Sequence, residues 1–195
     1  WQNVMRRPMS VASQQDGKVS VIYKVFGDGT KIMSEWIEND KVDIIGPLGN
    51  HWTEYMKTTP VLIGGGVGIA PILNLHNHLL KKSKEHYLIM GAKTKNEHFI
   101  QHEPENNIYL STDLDEFGIK GNVIDALKYI LNEIDKDKIK IFTCGPPKMM
   151  ESIAEYAQKK YMNCDLALET IMACGIGICQ GCTVTLDNNS LEDSY

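Results

Sequence analysis

Val61-Leu62-Ile63-Gly64-Gly65-Gly66-Val67-Gly68-Ile69-Ala70-Pro71 decides the fold. Val61 to Ile63 make a short buried strand, and Pro71 opens a helix carrying Ile72, Leu75 and Leu79 on one face. Glycines at the C-terminal end of a strand let a phosphate approach the backbone, and the helix that follows offers it free N–H groups. The plainer alternative is a tight strand–helix turn with glycines for packing, although four glycines in five positions exceed what a turn needs. The loop is not G-x-G-x-x-G in any register. Gly91-Ala92-Lys93, with no acidic residue, follows the next strand, so the ordinary Rossmann fingerprint fails.

The rhythm continues on the C-terminal side. Tyr87–Met90, Ile108–Ser111 and Ile139–Cys144 read as strands, with Leu166–Leu168 a possible fifth. Between them, Val123, Ala126, Leu127, Ile130, Leu131 and Ile134 show helical spacing, as do Met149, Met150, Ile153 and Ala157. Strands alternating with helices predict a parallel sheet covered on both faces. Ligands bind such sheets at the C-terminal strand edge. Three loops meet there: Gly64–Pro71, Ser111-Thr112-Asp113, and Thr143-Cys144-Gly145-Pro146-Pro147. Asp113 opposes a 2′-phosphate and no arginine is near it, which favours NAD over NADP; Lys93 and Lys95 are the residues that would serve a phosphate instead. Cys144 reads equally as a nicotinamide neighbour or as a small buried hydrophobe.

Upstream, Val19, Val21, Tyr23 and Val25 alternate with Ser20, Ile22 and Lys24 between turn signals at Asp16-Gly17 and Gly27-Asp28-Gly29. Val42–Ile45 is predicted as another strand, ended by Gly46-Pro47. The change from β-rich to alternating pattern places a boundary between residues 50 and 60.

Near the other end lies Cys174-Gly175-Ile176-Gly177-Ile178-Cys179-Gln180-Gly181-Cys182. C-x4-C-x2-C is the beginning of the plant-type [2Fe–2S] pattern, whose fourth cysteine follows after a gap. Gly175, Gly177 and Gly181 supply the dihedrals for a loop curled around one centre. No cysteine follows Cys182 before Tyr195, and Cys164 reads as structural. A zinc-binding, non-enzymatic module is the alternative use of three thiols, and it leaves the glycine loops unexplained. His98 and His102 are four apart without an accompanying Glu, which argues against a zinc pair.

Composition agrees with this chemistry. The 195 residues give room for one or two domains. A net charge of -5 with both signs interspersed argues against nucleic acid and anionic membranes as partners. No apolar run approaches the ~20 residues that span a bilayer, and no signal peptide is visible. Three of the five cysteines fall in one nine-residue window, which points to cytoplasmic metal chemistry rather than a disulfide framework.

These motifs, in this order, resemble the ferredoxin–NADP reductase superfamily, and within it the electron-transfer subunits of NAD-linked bacterial dihydroorotate dehydrogenases. Arg7-Pro8-Met9-Ser10 resembles the family's Arg-Pro-x-Ser flavin motif. Gly46-Pro47-Leu48-Gly49-Asn50 resembles its interdomain segment. Gly64–Pro71 and Cys144-Gly145-Pro146 resemble its pyridine-nucleotide loops, and Cys174–Cys182 its cluster loop.

The resemblance implies a mixed fold: a partial antiparallel FAD-binding β-barrel over 1–55, an α/β NAD-binding domain over 56–165, and a plant-type iron–sulfur segment over 166–195. It implies that Arg7 holds the FAD pyrophosphate with Gly29 and Thr30, and that Pro8, Met9 and Ser10 lie on the isoalloxazine side. Ile22, Tyr23 and Lys24 would line the ribityl and adenosine side. NAD(H) would be held by Gly64, Gly65, Gly66, Gly68, Ile69, Pro71, Ser111, Thr112, Asp113, Cys144, Gly145 and Pro146, and the cluster by Cys174, Cys179 and Cys182. It also implies a cytoplasmic heterotetramer with an FMN-containing catalytic subunit that oxidises dihydroorotate to orotate. Barrel strands are expected before Arg7 and a fourth cluster cysteine beyond Tyr195. Other NAD(P)H:ferredoxin or sulfide-type flavin oxidoreductases share these modules.

Overall fold

A computed structural model describes residues 6–132, 134 and 138–184. They fall into two compact units. The larger comprises Met9–Val25 and His51–Leu168; the smaller holds the described residues of Trp1–Pro8, Phe26–Asn50 and Glu169–Tyr195.

The larger unit is built on the elements the apolar pattern announces. Strands β3 (Thr59–Gly65), β4 (Tyr87–Ala92), β5 (Ile108–Thr112), β6 (Ile119–Lys120), β7 (Ile139–Cys144) and β8 (Asn163–Leu166) alternate with helices α2 (Ile69–Lys81), α3 (Val123–Leu131) and α4 (Pro147–Lys159). The sheet order is β6-β5-β4-β3-β7-β8, parallel throughout. Successive strand side chains point to opposite faces, and burial of both faces explains the nearly unbroken apolar runs. Val61, Ile63, Ile89 and Ile141 meet Leu127, Ile130 and Ile153 of α3 and α4 in one core cluster. Leu62, Leu88, Met90, Leu110 and Phe142 meet Ile69, Ile72, Leu75 and Leu79 of α2 in the other. Asn122 and Asp125 form a reciprocal capping box that starts α3. Pro147 opens α4 at the position where a missing N–H is harmless.

A two-stranded hairpin, β1 (Val11–Gln15) and β2 (Lys18–Val21), belongs to the same unit, and β1 packs against α2. Its turn residues, Asp16 and Gly17, both have positive φ, 51° and 72°, the combination that suits the right-handed twist of paired strands.

Several expectations need correction. The strand expected over 19–25 stops at Val21, because Ile22 leaves the ladder to pack with Trp52 and Tyr55 on the α2-side core. Val42–Ile45 forms no strand: among the described residues no strand pairs with it, and Val42, Ile44 and Ile45 are exposed. The antiparallel part described is therefore one hairpin. Helix α1 (Asp28–Ser34) occupies the segment after Gly27 and buries no residue, so it leaves no apolar periodicity to read. The last strand begins three residues before Leu166, at Asn163, with Cys164 paired to Ile141. Ile134 lies beyond the end of α3 yet packs on the first core cluster. Among the described residues no helix is long and apolar enough to cross a membrane.

Candidate nucleotide edge and thiol loop

β3 and β7 are neighbours with Gly64 opposite Cys144, so the loops leaving them are forced together. A Cβ on Gly68 would lie 2.5 Å from both the Cα and the N of Gly145. One on Gly65 would lie 2.5 Å from Met149 Sδ and 3.1 Å from Pro146 Cδ. One on Gly64 would strike Ile69. Packing thus accounts for three of the loop's four glycines. Gly66 is different: it is exposed, has φ +54°, and has nothing within 4 Å of a would-be Cβ. The 3-10 turn Gly66–Gly68 leads into α2, whose N-terminus has no side-chain cap. The Ile69 N–H already bonds the carbonyls of Gly66 and Val67, and Pro71 has no N–H to offer. Ile69 begins the helix, and Pro71, expected to open it, is its third residue. The α4 N-terminus at Pro146 also lacks a side-chain cap. Cys144 is buried on the α2 side with Phe142.

The ends of β4 and β5 continue this edge, with Gly91 opposite Ser111 and Ala92 opposite Thr112. Thr112 Oγ1 donates to Phe117 O at 2.8 Å, so the His98 Nε2 at 3.0 Å donates to it. That assignment leaves His98 Nδ1 as a buried acceptor without a partner, and burial lowers the pKa of the ring. Ser111 Oγ and Thr143 Oγ1 are also buried without a hydrogen-bond partner. Asp113 is exposed just past β5, its N–H donating to Ala92 O at 3.2 Å. Lys93 N donates to Glu97 Oε2 at 3.0 Å and Lys95 N to Asp115 Oδ2 at 2.7 Å. Glu97 and Asp115 escaped the sequence reading because they lie in turns, where no periodicity marks them.

In the smaller unit, the Arg7 guanidinium rests on the backbone of Gly29: a Cβ there would be 2.9 Å from Arg7 Nε. Thr30 Oγ1 accepts from Phe26 N at 2.7 Å and donates to Gly27 O at 3.2 Å, fixing the turn into α1. A fixed guanidinium beside a glycine backbone is a donor set that fits a diphosphate. Arg6 is instead paired with Asp43 at 2.7 Å in the open. Pro8 is exposed. Met9, Ser10, Ile22, Tyr23 and Lys24 belong to the larger unit, flanking the hairpin.

The thiol loop has positive φ at Gly175 and Gly177, as expected, but at Gln180 rather than Gly181. Cys179 N donates to Cys174 Sγ at 3.4 Å, and this bond, with further backbone contacts from Ile176 and Ile178, lowers the Cys174 pKa to about 6. Among the described residues no three ligating side chains are gathered around a metal position. The donor chemistry still fits an iron–sulfur centre: thiolates on a curled loop with N–H groups aimed at sulfur. Cys164, by contrast, is pushed up to about 12 by burial and behaves as a structural thiol.

Comparison with known proteins follows the same division. Residues 62–155 match the oxidoreductase NAD-binding domain, and residues 169–194 match the iron–sulfur cluster binding domain of dihydroorotate dehydrogenase B. The electron transfer subunit of dihydroorotate dehydrogenase B (NAD(+)) from Caldanaerobacter subterraneus subsp. tengcongensis is 34% identical over 180 residues, covering 91% of this chain and 70% of the relative. The chain belongs to this family of electron-transfer subunits. The Fusobacterium nucleatum member is 32% identical over 188 residues, covering 93% of this chain and 71% of its own length. Among solved structures, the NADH-dependent reduced ferredoxin–NADP oxidoreductase studied for flavin-based electron bifurcation superposes with a TM-score of 0.78 at 29% identity. That match covers 91% of this chain and 66% of the other. The ferredoxin NADP+ reductase of Neisseria gonorrhoeae, with a TM-score of 0.57 at 15% identity, shares the fold, covering 83% of this chain and 80% of its own. The family thus has a ferredoxin reductase-like fold: an antiparallel part, a parallel α/β sheet, and a C-terminal iron–sulfur binding domain.

Proposed function

We propose that this chain is the electron-transfer subunit of a cytoplasmic NAD-linked dihydroorotate dehydrogenase. It would pass electrons between NAD(H) and an FMN-containing catalytic subunit, in a heterotetramer that interconverts dihydroorotate and orotate in pyrimidine biosynthesis. The observation that carries the reading is the coexistence in one chain of the Gly68–Gly145 nucleotide edge and the C-x4-C-x2-C loop, whose Cys174 thiol already receives a backbone N–H. When bound, FAD supplies exchange between two-electron and one-electron transfer, and a [2Fe–2S] centre supplies one-electron transfer.

The chain's own residues bind and orient. Arg7, Gly29 and Thr30 hold the flavin diphosphate, with Pro8, Met9, Ser10, Ile22, Tyr23 and Lys24 flanking the rest of the flavin. Gly64, Gly65 and Gly68 pack the turn, so that Gly66 and the first turn of α2, Ile69 to Pro71, receive the dinucleotide diphosphate. Cys144, Gly145 and Pro146 back the nicotinamide. Ser111, Thr112 and Asp113 take the far end of the nucleotide. Cys174, Cys179 and Cys182 ligate iron. The segments 1–55, 56–165 and 166–195 carry flavin, nicotinamide and cluster in that order.

The likeness to the NADH-dependent ferredoxin–NADP oxidoreductase favours a second reading, a flavin oxidoreductase serving a different acceptor. An anaerobic NADH titration of the reconstituted protein, followed optically and by low-temperature EPR, tests the common part. Flavin bleaching with a growing [2Fe–2S] signal supports it; no response from either chromophore, with both shown to be present, defeats it. Adding the dihydroorotate-oxidising partner separates the two readings, since only the first gives orotate-linked oxidation of NADH. Zinc without iron or labile sulfide in the isolated protein would instead indicate a non-enzymatic module.

A further inference from the structure

Ile69, Ile72, Leu75 and Leu79 turn one face of α2 into the core. On another face Asn74, then Asn77 and His78, then Lys81 stand three or four residues apart and form a polar stripe. Strand β1 of the hairpin packs against this helix. Between the two lies a cleft of about 460 Å³, within the size range of small-molecule sites. Ser13, Gln14 and Gln15 line it from β1, and the polar stripe lines it from α2.

Ser13, Asn74 and Asn77 are half-buried. Among the described residues, nothing hydrogen-bonds to their side chains or to those of Gln14 and Gln15. A helix face packed beneath another element is ordinarily apolar, and half-buried polar groups ordinarily have partners. Here the sequence forgoes apolar packing and gains no protein contact in return, a departure expected where a surface serves a ligand. His78 is the member of the stripe already engaged: its Nε2 lies 3.4 Å from Tyr55 Oη, with the rings edge to face at 5.6 Å.

The lining selects its occupant by chemistry. Each carboxamide presents a donor and an acceptor at one planar end, and the Ser13 hydroxyl does both. Sugar hydroxyls, which also donate and accept, satisfy such groups in full. No lining residue is acidic, and the Lys81 ammonium brings three donors and a point charge suited to phosphate oxygens.

We infer that the cleft between β1 and α2 is a binding site for a phosphorylated sugar, with its hydroxyls on Ser13, Asn74, Asn77 and the two glutamines and its phosphate on Lys81. Lys81 ends α2, about 18 Å along the helix from Ile69 and the nucleotide loop. The site is therefore separate from the nucleotide edge and independent of the function proposed above.

NMR titration of the isotope-labelled full chain, in which carboxamide NH2 groups give their own signals, tests the site with four probes: ribose 5-phosphate, ribose, inorganic phosphate and adenosine 5′-monophosphate. Ribose 5-phosphate is expected to shift the Asn74 and Asn77 side-chain signals, and to bind about tenfold or more tightly than ribose or inorganic phosphate. The double variant Asn74→Ala, Asn77→Ala should weaken it about tenfold or more. The urea midpoint of that variant should be unchanged or raised, because alanine is the better helix former and no internal hydrogen bond is lost. Lys81→Gln should weaken ribose 5-phosphate about fivefold or more and leave ribose unaffected. Tighter binding of adenosine 5′-monophosphate at the same signals supports the site with a nucleotide as the source of the sugar phosphate; weaker binding supports it with a free sugar phosphate. Unmoved Asn74 and Asn77 signals, inorganic phosphate binding as tightly as ribose 5-phosphate, or wild-type affinity in the double variant each overturn the inference and leave the nucleotide reading untouched.

Discussion

The backbone of Gly68 lies directly against the backbone of Gly145, close enough that a Cβ on the first would be 2.5 Å from Cα of the second. The contact ties the loop after β3 to the loop after β7. A methyl group at Gly68 has only backbone to push on, so the loops must part. Gly68→Ala is expected to cost about 1–3 kcal/mol of stability and to abolish detectable ADP-ribose binding. Gly66→Ala, where only the left-handed φ of +54° opposes the change, should cost about 1 kcal/mol. Urea midpoints of the two variants measure the difference. Equal losses would mean the backbone apposition is not a constraint.

The α/β half was legible because its strands bury both faces and its helices bury one, which imposes periodicity on the sequence. Ile139–Cys144 has the bounds expected for it. The first fifty residues were not legible in the same way. Val42, Ile44 and Ile45 have the composition of a strand, but composition makes a strand only when a neighbouring backbone completes the ladder. The glycine loop was read as a phosphate cradle against a packing turn. The structure divides it: Gly64, Gly65 and Gly68 pack, and Gly66 faces outward. Pairings such as Arg7 on Gly29, or Glu97 and Asp115 on backbone N–H groups, depend on loop paths that no local pattern specifies.

Arg7 and Gly29 give a test of the flavin site that leaves the core alone. Both are outside the buried clusters, and Gly29 has ordinary backbone dihedrals. Arg7→Ala removes the guanidinium and is expected to weaken FAD binding about tenfold or more. Gly29→Ala displaces it from a 2.9 Å approach and should weaken binding by a smaller factor. Neither should move the thermal midpoint of the flavin-free chain. Flavin fluorescence titration reads the first effect and circular dichroism the second; unchanged affinity in Arg7→Ala would remove Arg7 from the flavin site.

Lys140 is the one charged residue in the buried strand β7. Its side chain is 7% exposed, with Nζ 3.0 Å from Asp165 and 3.3 Å from Glu54. It thereby fastens the segment before β3 to the β7–β8 pair. Lys140→Met keeps the apolar stem but strands the Asp165 carboxylate, which is only 33% exposed. A loss of about 1–3 kcal/mol is expected. Glu54 is 59% exposed, so Glu54→Gln should cost less than about 1 kcal/mol. Guanidinium denaturation of both variants gives the ranking, and a larger loss for Glu54→Gln would contradict it.

His76 and His86 form a buried pair, Nδ1 to Nε2 at 2.8 Å, between α2 and the segment leading into β4. His86 Nδ1 lies 2.7 Å from Lys84 O and must donate to it, so His86 Nε2 is an acceptor and His76 Nδ1 its donor. Both rings are then neutral, and a proton added to His86 Nε2 would break the bond between them. Burial, with the neighbouring His86 as a smaller cause, lowers the His76 pKa from 6.5 to about 4; burial also lowers that of His86. The unfolded chain therefore takes up protons first as pH falls. The stability that neutral His76 supports is fully present above pH 6.5, declines as pH drops from 6.5 toward 4, and changes no further below that. Allowing for partial solvent screening, the decline amounts to about 2 kcal/mol. His76→Gln cannot take up the proton, so the difference in urea midpoint between variant and wild type should narrow or reverse between pH 7 and pH 4. A constant difference across that range would show that the pair is not held neutral by the fold.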